Sequence, residues 1–257
     1  MSEVRLEKNG VIATVTLSNP SKLNALDVAM WNSLTRTFKA LSEDESLRCV
    51  ILCGDAHNFA AGADVSEFPT VRHTVAQGMR YHTEIIAKAL EAISHCKHPT
   101  VAAIEGTCVG GGLEIASACD IRIAAPTARF GIPINRLGFP LAPGELLYLL
   151  QLIGKAAVLE ILLEGRVFDT TEAKEKGLVT RIADDVMTEA NECAQRIAQG
   201  APLAARMNKQ MVRRLTPMPA PLTEQELRDA FNFISTQDYR EGVQTFLNKR
   251  KPVFSGK

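Results

Sequence analysis

The sequence predicts an α/β protein, with an N-terminal core of short strands alternating with helices and a helical C-terminal region. Three observations predict it. CVILC at 49–53, TVAAIEG at 100–106 and CDIRIAA at 119–125 are apolar runs of strand length, separated by segments of helical periodicity. Polar and apolar residues alternate over 3–19, the pattern of a half-buried hairpin. After Pro143 the strand runs give way to consecutive helical patterns punctuated by Pro and Gly. The division is expected to leave 1–200 as the α/β core and 201–257 as the helical region.

The elements follow in order. VRLEK and VIATVTL flank Lys8-Asn9-Gly10, a tight-turn signal between two strands. Asp27 is placed to cap a helix through Met30, Leu34, Phe38 and Leu41, which recur at helical spacing. The buried strand 49–53 runs into a loop rich in Ala and Gly from Gly54 to Asp64. A second helical pattern covers 71–95. The strand at 100–106 leads to Gly110-Gly111-Gly112 and the small-residue helix LEIASAC. Helices are expected over 144–164, 170–176, 185–199, 202–214 and 222–248, with 216–221 (TPMPAP) as an extended connector.

Composition narrows the class of function. The 257 residues carry 29 Lys plus Arg against 29 Asp plus Glu, so no net charge favours nucleic acid or a membrane surface. At this length roughly 70–75% of the unfolded surface can be buried without disulfide or metal staples. The six cysteines include no C-x-x-C pair and no zinc spacing, and most sit among apolar residues, which predicts reduced buried thiols. The N-terminal stretch has no apolar signal core, and no apolar run is expected to reach the ~18 residues of a membrane span. A cytoplasmic protein without metal or cofactor is expected.

Two loops carry the candidate chemistry. Asn58-Phe-Ala-Ala-Gly-Ala-Asp-Val-Ser-Glu-Phe68 and Ile104-Glu-Gly-Thr-Cys-Val-Gly-Gly-Gly-Leu-Glu-Ile115 each leave a strand and enter a helix. Small residues admit close backbone approach, and the first N–H groups of a helix lack internal partners. Two such loops meeting at one point would aim two N–H groups at one oxygen. A single glycine triplet is equally a tight turn. No GxxxxGK[ST] is present, and the triplet lacks the βαβ context of a dinucleotide fingerprint.

Taken together, six ordered blocks resemble the crotonase (enoyl-CoA hydratase/isomerase) superfamily across almost the whole chain. They are NPSKLNALD (19–27), FAAGADVSEF (59–68), VAAIEGTCVGGGLEIASACDIRIA (101–124), ARFGIP (128–133), GRVFDTTEAKEKGLV (165–179) and EGVQTFLNKRKPVF (241–254). The resemblance implies a crotonase-like spiral of β-β-α units with a helical C-terminal trimerisation region, hence a homotrimer or a dimer of trimers. It implies an acyl-CoA substrate, coenzyme A being part of that substrate rather than a cofactor. It places the oxyanion N–H groups on Ala63 and Gly111, where an enolate oxygen gathers charge.

The resemblance also assigns the acid–base work. Hydratases of this family use two glutamates. The first matches Glu114, three residues beyond Gly111; its alternative is a carboxylate that only caps the helix. The second would fall at Ile134, which cannot titrate, and this departure also argues against a standard double-bond isomerase. The tyrosine of decarboxylase relatives would match Leu141 and the aspartate of dehalogenase relatives about Ala142; both are absent. Glu145 is a possible replacement acid, although the reading given more weight is a solvent-exposed carboxylate in a first helical turn.

For the CoA moiety, Lys22 and Lys249 are the candidate cations, the latter supplied in relatives from a neighbouring subunit. The backbone of Ala61, Gly62, Ala63 and Asp64 is expected to line the adenine side, and Gly110, Gly111, Ile134 and Leu141 are further candidate substrate-binding residues. Asp64 reads as a helix cap and His57 as a loop residue. Phe231 and Phe233 read as helix packing rather than an adenine border. The expected activity is enoyl-CoA hydratase-like, with Glu114 as main acid/base. The alternatives are a single-carboxylate isomerase or other enolate-forming enzyme, and a non-catalytic acyl-CoA binder; an RNA-associated relative is disfavoured by the neutral charge.

Overall fold

The computed structural model describes residues 2–257. Strands β1 (Glu3–Asn9), β2 (Ile12–Ser18), β3 (Cys49–Gly54), β4 (Thr100–Ile104), β6 (Ile121–Ala124) and β9 (Arg181–Ile182) form one sheet in the order β1-β2-β3-β4-β6-β9. Strands β5 (Thr107–Val109), β7 (Arg129–Gly131) and β8 (Phe168–Asp169) form a second, smaller sheet. The first pair is antiparallel; β2 to β9 run parallel within their sheet. Asn9 pairs with Ile12, so the two turn residues are Gly10-Val11 and Asn9 is the last residue of its strand. Gly10 takes φ +59°, which its missing Cβ permits.

The period-2 geometry of strands sorts side chains between two cores. Val50 and Leu52 of β3, with Ala102 and Ile104 of β4, face the larger core. Cys49, Ile51, Cys53, Val101 and Ala103 face the other side, against Val186, Ala190, Cys193 and Ala194 of the helix Val186–Gln199. Both strands are buried on both faces, which explains their continuous apolar runs. All six cysteines are free and buried, and burial pushes the Cys49 thiol up to about 12, the behaviour of an inert core group. The helix Val28–Glu43 forms as expected, with Asp27 accepting from Met30 N–H at 2.8 Å and Trp31 joining the buried stripe.

Three helical expectations are corrected. The 71–95 pattern is not continuous: helices Phe68–Val71 and Val75–Arg80 are followed by a π-helical stretch, Tyr81–Ile86, and then Ala87–Ser94. The wider π turn lets Tyr81, His82 and Ile86 all be buried, which a 3.6-residue period does not allow on one narrow face. The 222–248 segment divides into Glu224–Phe231, a 3₁₀ turn Asn232–Ser235 and Gln237–Leu247. The third correction concerns membrane length. Helix Pro143–Glu164 has a mean hydropathy of 1.9 over its best eighteen-residue window, long and apolar enough to cross a membrane by length and composition alone. It is kinked at Gly154 (φ 74°, ψ 171°), and its core-facing residues include Glu145, Leu149, Val158 and Ile161.

Candidate active site

Backbone hydrogen bonds tie the two glycine-containing loops to each other and to their surroundings. Ala60 N–H donates to Thr107 C=O and Val109 N–H to Ala60 C=O, which ties the loops together. Ala61 N–H donates to Leu23 C=O, Leu26 N–H to Gly62 C=O, and Asp64 N–H to Leu26 C=O. Gly110 N–H donates to Gly131 C=O. Ala63 N–H and Gly111 N–H donate to no backbone or side-chain acceptor among the described residues. They lie close together: a Cβ built on Gly111 would stand 3.5 Å from Ala63 N, and one on Gly62 would stand 3.1 Å from Gly111 N. A Gly111 Cβ would also press within 2.9 Å of the buried Trp31 ring, so only glycine fits there. Gly111 opens the helix Gly111–Ala118, whose dipole adds to the positive potential at this point.

These N–H groups border a cavity of about 470 Å³ with a mainly apolar wall, within the usual size range for a small-molecule site. Of the residues expected to bind or act, Lys22, Ala61, Gly62, Ala63, Asp64, Gly110, Gly111, Glu114, Ile134, Leu141 and Glu145 all line this cavity. Lys249 does not; it is exposed just beyond Phe246 and Leu247, which do. Lys22 Nζ lies 2.6 Å from Asp64 and 3.1 Å from Ser66 Oγ at the mouth. Asp64 caps the 3₁₀ turn Val65–Glu67; burial pushes its carboxyl up, but the bonds from Lys22 and Ser66 outweigh this and hold it low. His57 is exposed, and Phe231 and Phe233 pack against each other with ring centres 6.3 Å apart and are not among the residues that line the cavity.

Glu114 and Glu145 are both buried, with 4% and 2% of their surface exposed. The greater weight given to a solvent-exposed Glu145 is therefore corrected. Ala142 and Pro143 start their helix over the cavity, so the third helical residue points inward and not toward water. There a Glu145 oxygen lies 2.5 Å from His82 Nδ1, the side chain aimed by the π turn. Burial raises the Glu145 pKa to about 8 and drives that of His82 well down, so the pair is neutral at neutral pH. Glu114 is raised well above its ordinary range by burial and by the neighbouring Glu145, opposed by Arg72, and its Oε2 has no hydrogen-bond partner. It is not the helix-capping carboxylate of the alternative reading: no side chain caps this helix.

His82 and Arg72 were not foreseen. Arg72 is followed by His73-Thr74 and His82 by Thr83-Glu84, so each reads as one polar residue among others, and no motif marks either one. Arg72 lines the cavity, is 1% exposed, and has its guanidinium carbon 4.2 Å from the ring centres of both Phe68 and Phe139. Among the described residues no group of three or more His, Cys, Asp or Glu has the arrangement to hold a metal.

A mixed α/β fold whose two small-residue loops meet over an apolar pocket, with a buried carboxyl beside them, is the architecture of the crotonases. The chain belongs to the enoyl-CoA hydratase/isomerase family, whose sequence profile matches residues 7–257. It is 35% identical over 257 residues to the "Probable enoyl-CoA hydratase echA8" of Mycobacterium tuberculosis, covering 98% of this chain and 97% of that one. Among solved structures, an enoyl-CoA hydratase/carnithine racemase from Magnetospirillum magneticum is 45% identical, with a TM-score of 0.82 over 100% of this chain and 97% of that one. A methylmalonyl-CoA decarboxylase in complex with 2-nitronate-propionyl-CoA shares the fold, at a TM-score of 0.87 and 24% identity over 99% and 98% of the two chains.

Proposed function

We propose that this protein forms and stabilises the enolate of an acyl-CoA thioester, adding water across an α,β-unsaturated acyl chain as an enoyl-CoA hydratase-type lyase. The observation that carries the reading is the pair of unspent N–H groups on Ala63 and Gly111, side by side on the wall of a cavity that also holds Glu114. The thioester oxygen accepts from both, and their pull grows as negative charge moves onto it.

Ile134 leaves the second family position without a proton carrier, and Glu145 takes that place from another element. Two carboxyls in one low-dielectric pocket do not both ionise readily. The ionised one takes a proton from the attacking water, and the protonated one gives a proton to the α-carbon. Glu114, nearest the oxyanion pair in sequence and on the same helix, is the main acid/base. Lys22 and the backbone of Ala61–Asp64 lie along the CoA portion, and Lys249 reaches a neighbouring subunit's site in a homotrimer.

The test is loss of the conjugated-thioester absorbance when 2-enoyl-CoA substrates of graded chain length are added. Glu114→Gln is expected to lower kcat roughly 10²–10⁴-fold. Binding without any spectral change at every chain length would overturn the hydratase reading. A second reading follows from the same position: Ile134 excludes the base of a standard isomerase, and leaves a single-carboxylate isomerisation or other enolate reaction in which Glu114 is the sole base. Deuterium entering the α- or γ-carbon of a 3-enoyl-CoA without net hydration would establish that instead.

A further inference from the structure

The wall of the cavity includes a buried cation with no hydrogen-bond acceptor. Arg72 is almost fully buried, yet its Nε and Nη2 have no hydrogen-bond partner. Glu114 and Glu145 are close enough to feel its charge, but neither forms an ion pair with it among the described residues. Five aromatic rings surround it instead: Phe68 and Phe139 at 4.2 Å, Tyr239 at 5.3 Å, Phe233 at 5.6 Å and Tyr81 at 6.0 Å from the guanidinium carbon. The π faces offset part of the lost hydration of the cation and accept none of its N–H bonds in the ordinary way. A guanidinium stays charged at any physiological pH, even when burial lowers its pKa. A buried charge without an anion is strongly disfavoured, and an apolar residue of similar volume would stabilise the fold better. The remaining use of the group is toward what enters the cavity it lines.

We propose that Arg72 and its aromatic box form an anion subsite that binds a carboxylate at the far end of the acyl chain, so that the substrate is an ω-carboxyacyl-CoA. The inference rests on the acyl-CoA reading above. The cavity joins the two ends of such a ligand: Ala63 and Gly111 take the thioester oxygen, and the planar fork of Arg72 takes the distal carboxylate in two parallel N–H···O bonds. Arg72, Glu114 and Glu145 line the same cavity, so the distal carboxylate and the reacting carbons share it. Burial favours the neutral forms of the two protein carboxyls, and the proposed reaction ionises only one of them, which limits their repulsion of the bound carboxylate.

The experiment is titration calorimetry of the intact protein with saturated thioesters, so that no turnover is required. Glutaryl-CoA is compared with valeryl-CoA, and adipyl-CoA with hexanoyl-CoA, each pair matched in chain length. The carboxylated member is expected to bind roughly tenfold to hundredfold more tightly in one of the pairs. Arg72→Met is expected to abolish the preference, and Arg72→Lys to weaken it, since lysine keeps the charge without the fork. If Arg72→Met does not fold, the lysine variant carries the test. Equal affinity within both pairs, or a preference that both folded variants retain in full, overturns the subsite. Failure of all four thioesters to bind would instead overturn the acyl-CoA reading itself.

Discussion

In the proposed reaction, Glu145 and Glu114 are the residues on which the proton transfers rest. Both carboxyls are favoured in their neutral forms by the folded state. For Glu145 that stabilisation is complete below its ordinary value of 4.5 and is lost as pH rises toward about 8. Glu145→Gln is therefore expected to flatten the fall of Tm with rising pH over that window. If Glu145 is the proton donor, kcat of the native enzyme declines as pH passes about 8. A pH–rate profile should lose that limb in the Glu145→Gln variant, with kcat lowered roughly 10²-fold or more at neutral pH. An unchanged alkaline limb would exclude Glu145 as the donor. At this scale the sequence was informative about position wherever a residue lies in a local motif. Ala63, Gly111 and Glu114 sit in blocks whose spacing carries them to the cavity. Arg72, His82 and the inward turn of Glu145 were not legible, because each depends on local backbone geometry that no motif encodes: the break after Phe68–Val71, the π turn and the start of the helix at Pro143.

The elements that matter most are the helix Gly111–Ala118 and the π turn Tyr81–Ile86. The first was foreseen from Gly110-Gly111-Gly112, since only glycine lets its N-terminus rest against Trp31. Gly111→Ala is expected to push the helix start off the ring and misplace one oxyanion donor. That should cost on the order of 10²–10³ in kcat, with a smaller change in substrate affinity. Trp31→Phe in the same background should restore part of the loss by opening space, as a steric cause requires; no recovery would point to another cause. The π turn was hidden because it resembles an ordinary amphipathic pattern until three-dimensional packing chooses which residues face inward. Its effect is functional: it delivers His82 to Glu145.

For the molecule as a whole, the α/β order of strands and the helical C-terminal texture were both readable, because buried parallel strands leave continuous apolar runs. The small sheet of β5, β7 and β8 was not, its strands being two or three residues long. The outer surface carries its own message. Leu150, Leu159 and Leu163 of the helix Pro143–Glu164, with Leu203, Val212 and Leu215 of Pro202–Leu215, are exposed on the single chain. An apolar surface of this kind is what a symmetric self-association covers. Light scattering is expected to give a trimer or a dimer of trimers, and Val212→Glu with Leu215→Glu to shift it toward monomer. A monomeric native protein at micromolar concentration would contradict the homotrimer.

The central claim is that Ala63 and Gly111 stabilise a thioester enolate made by a nearby carboxylate. Exchange of α-protons in deuterated water, followed by proton NMR on butyryl-CoA and glutaryl-CoA, reads that enolate whatever the final reaction is. The account predicts loss of the α-proton signal with at least one of these thioesters, abolished in Glu114→Gln and slowed on the order of 10²–10³-fold in Gly111→Ala. Retention of the α-protons in a thioester shown to be bound, or full exchange in Glu114→Gln, would contradict it.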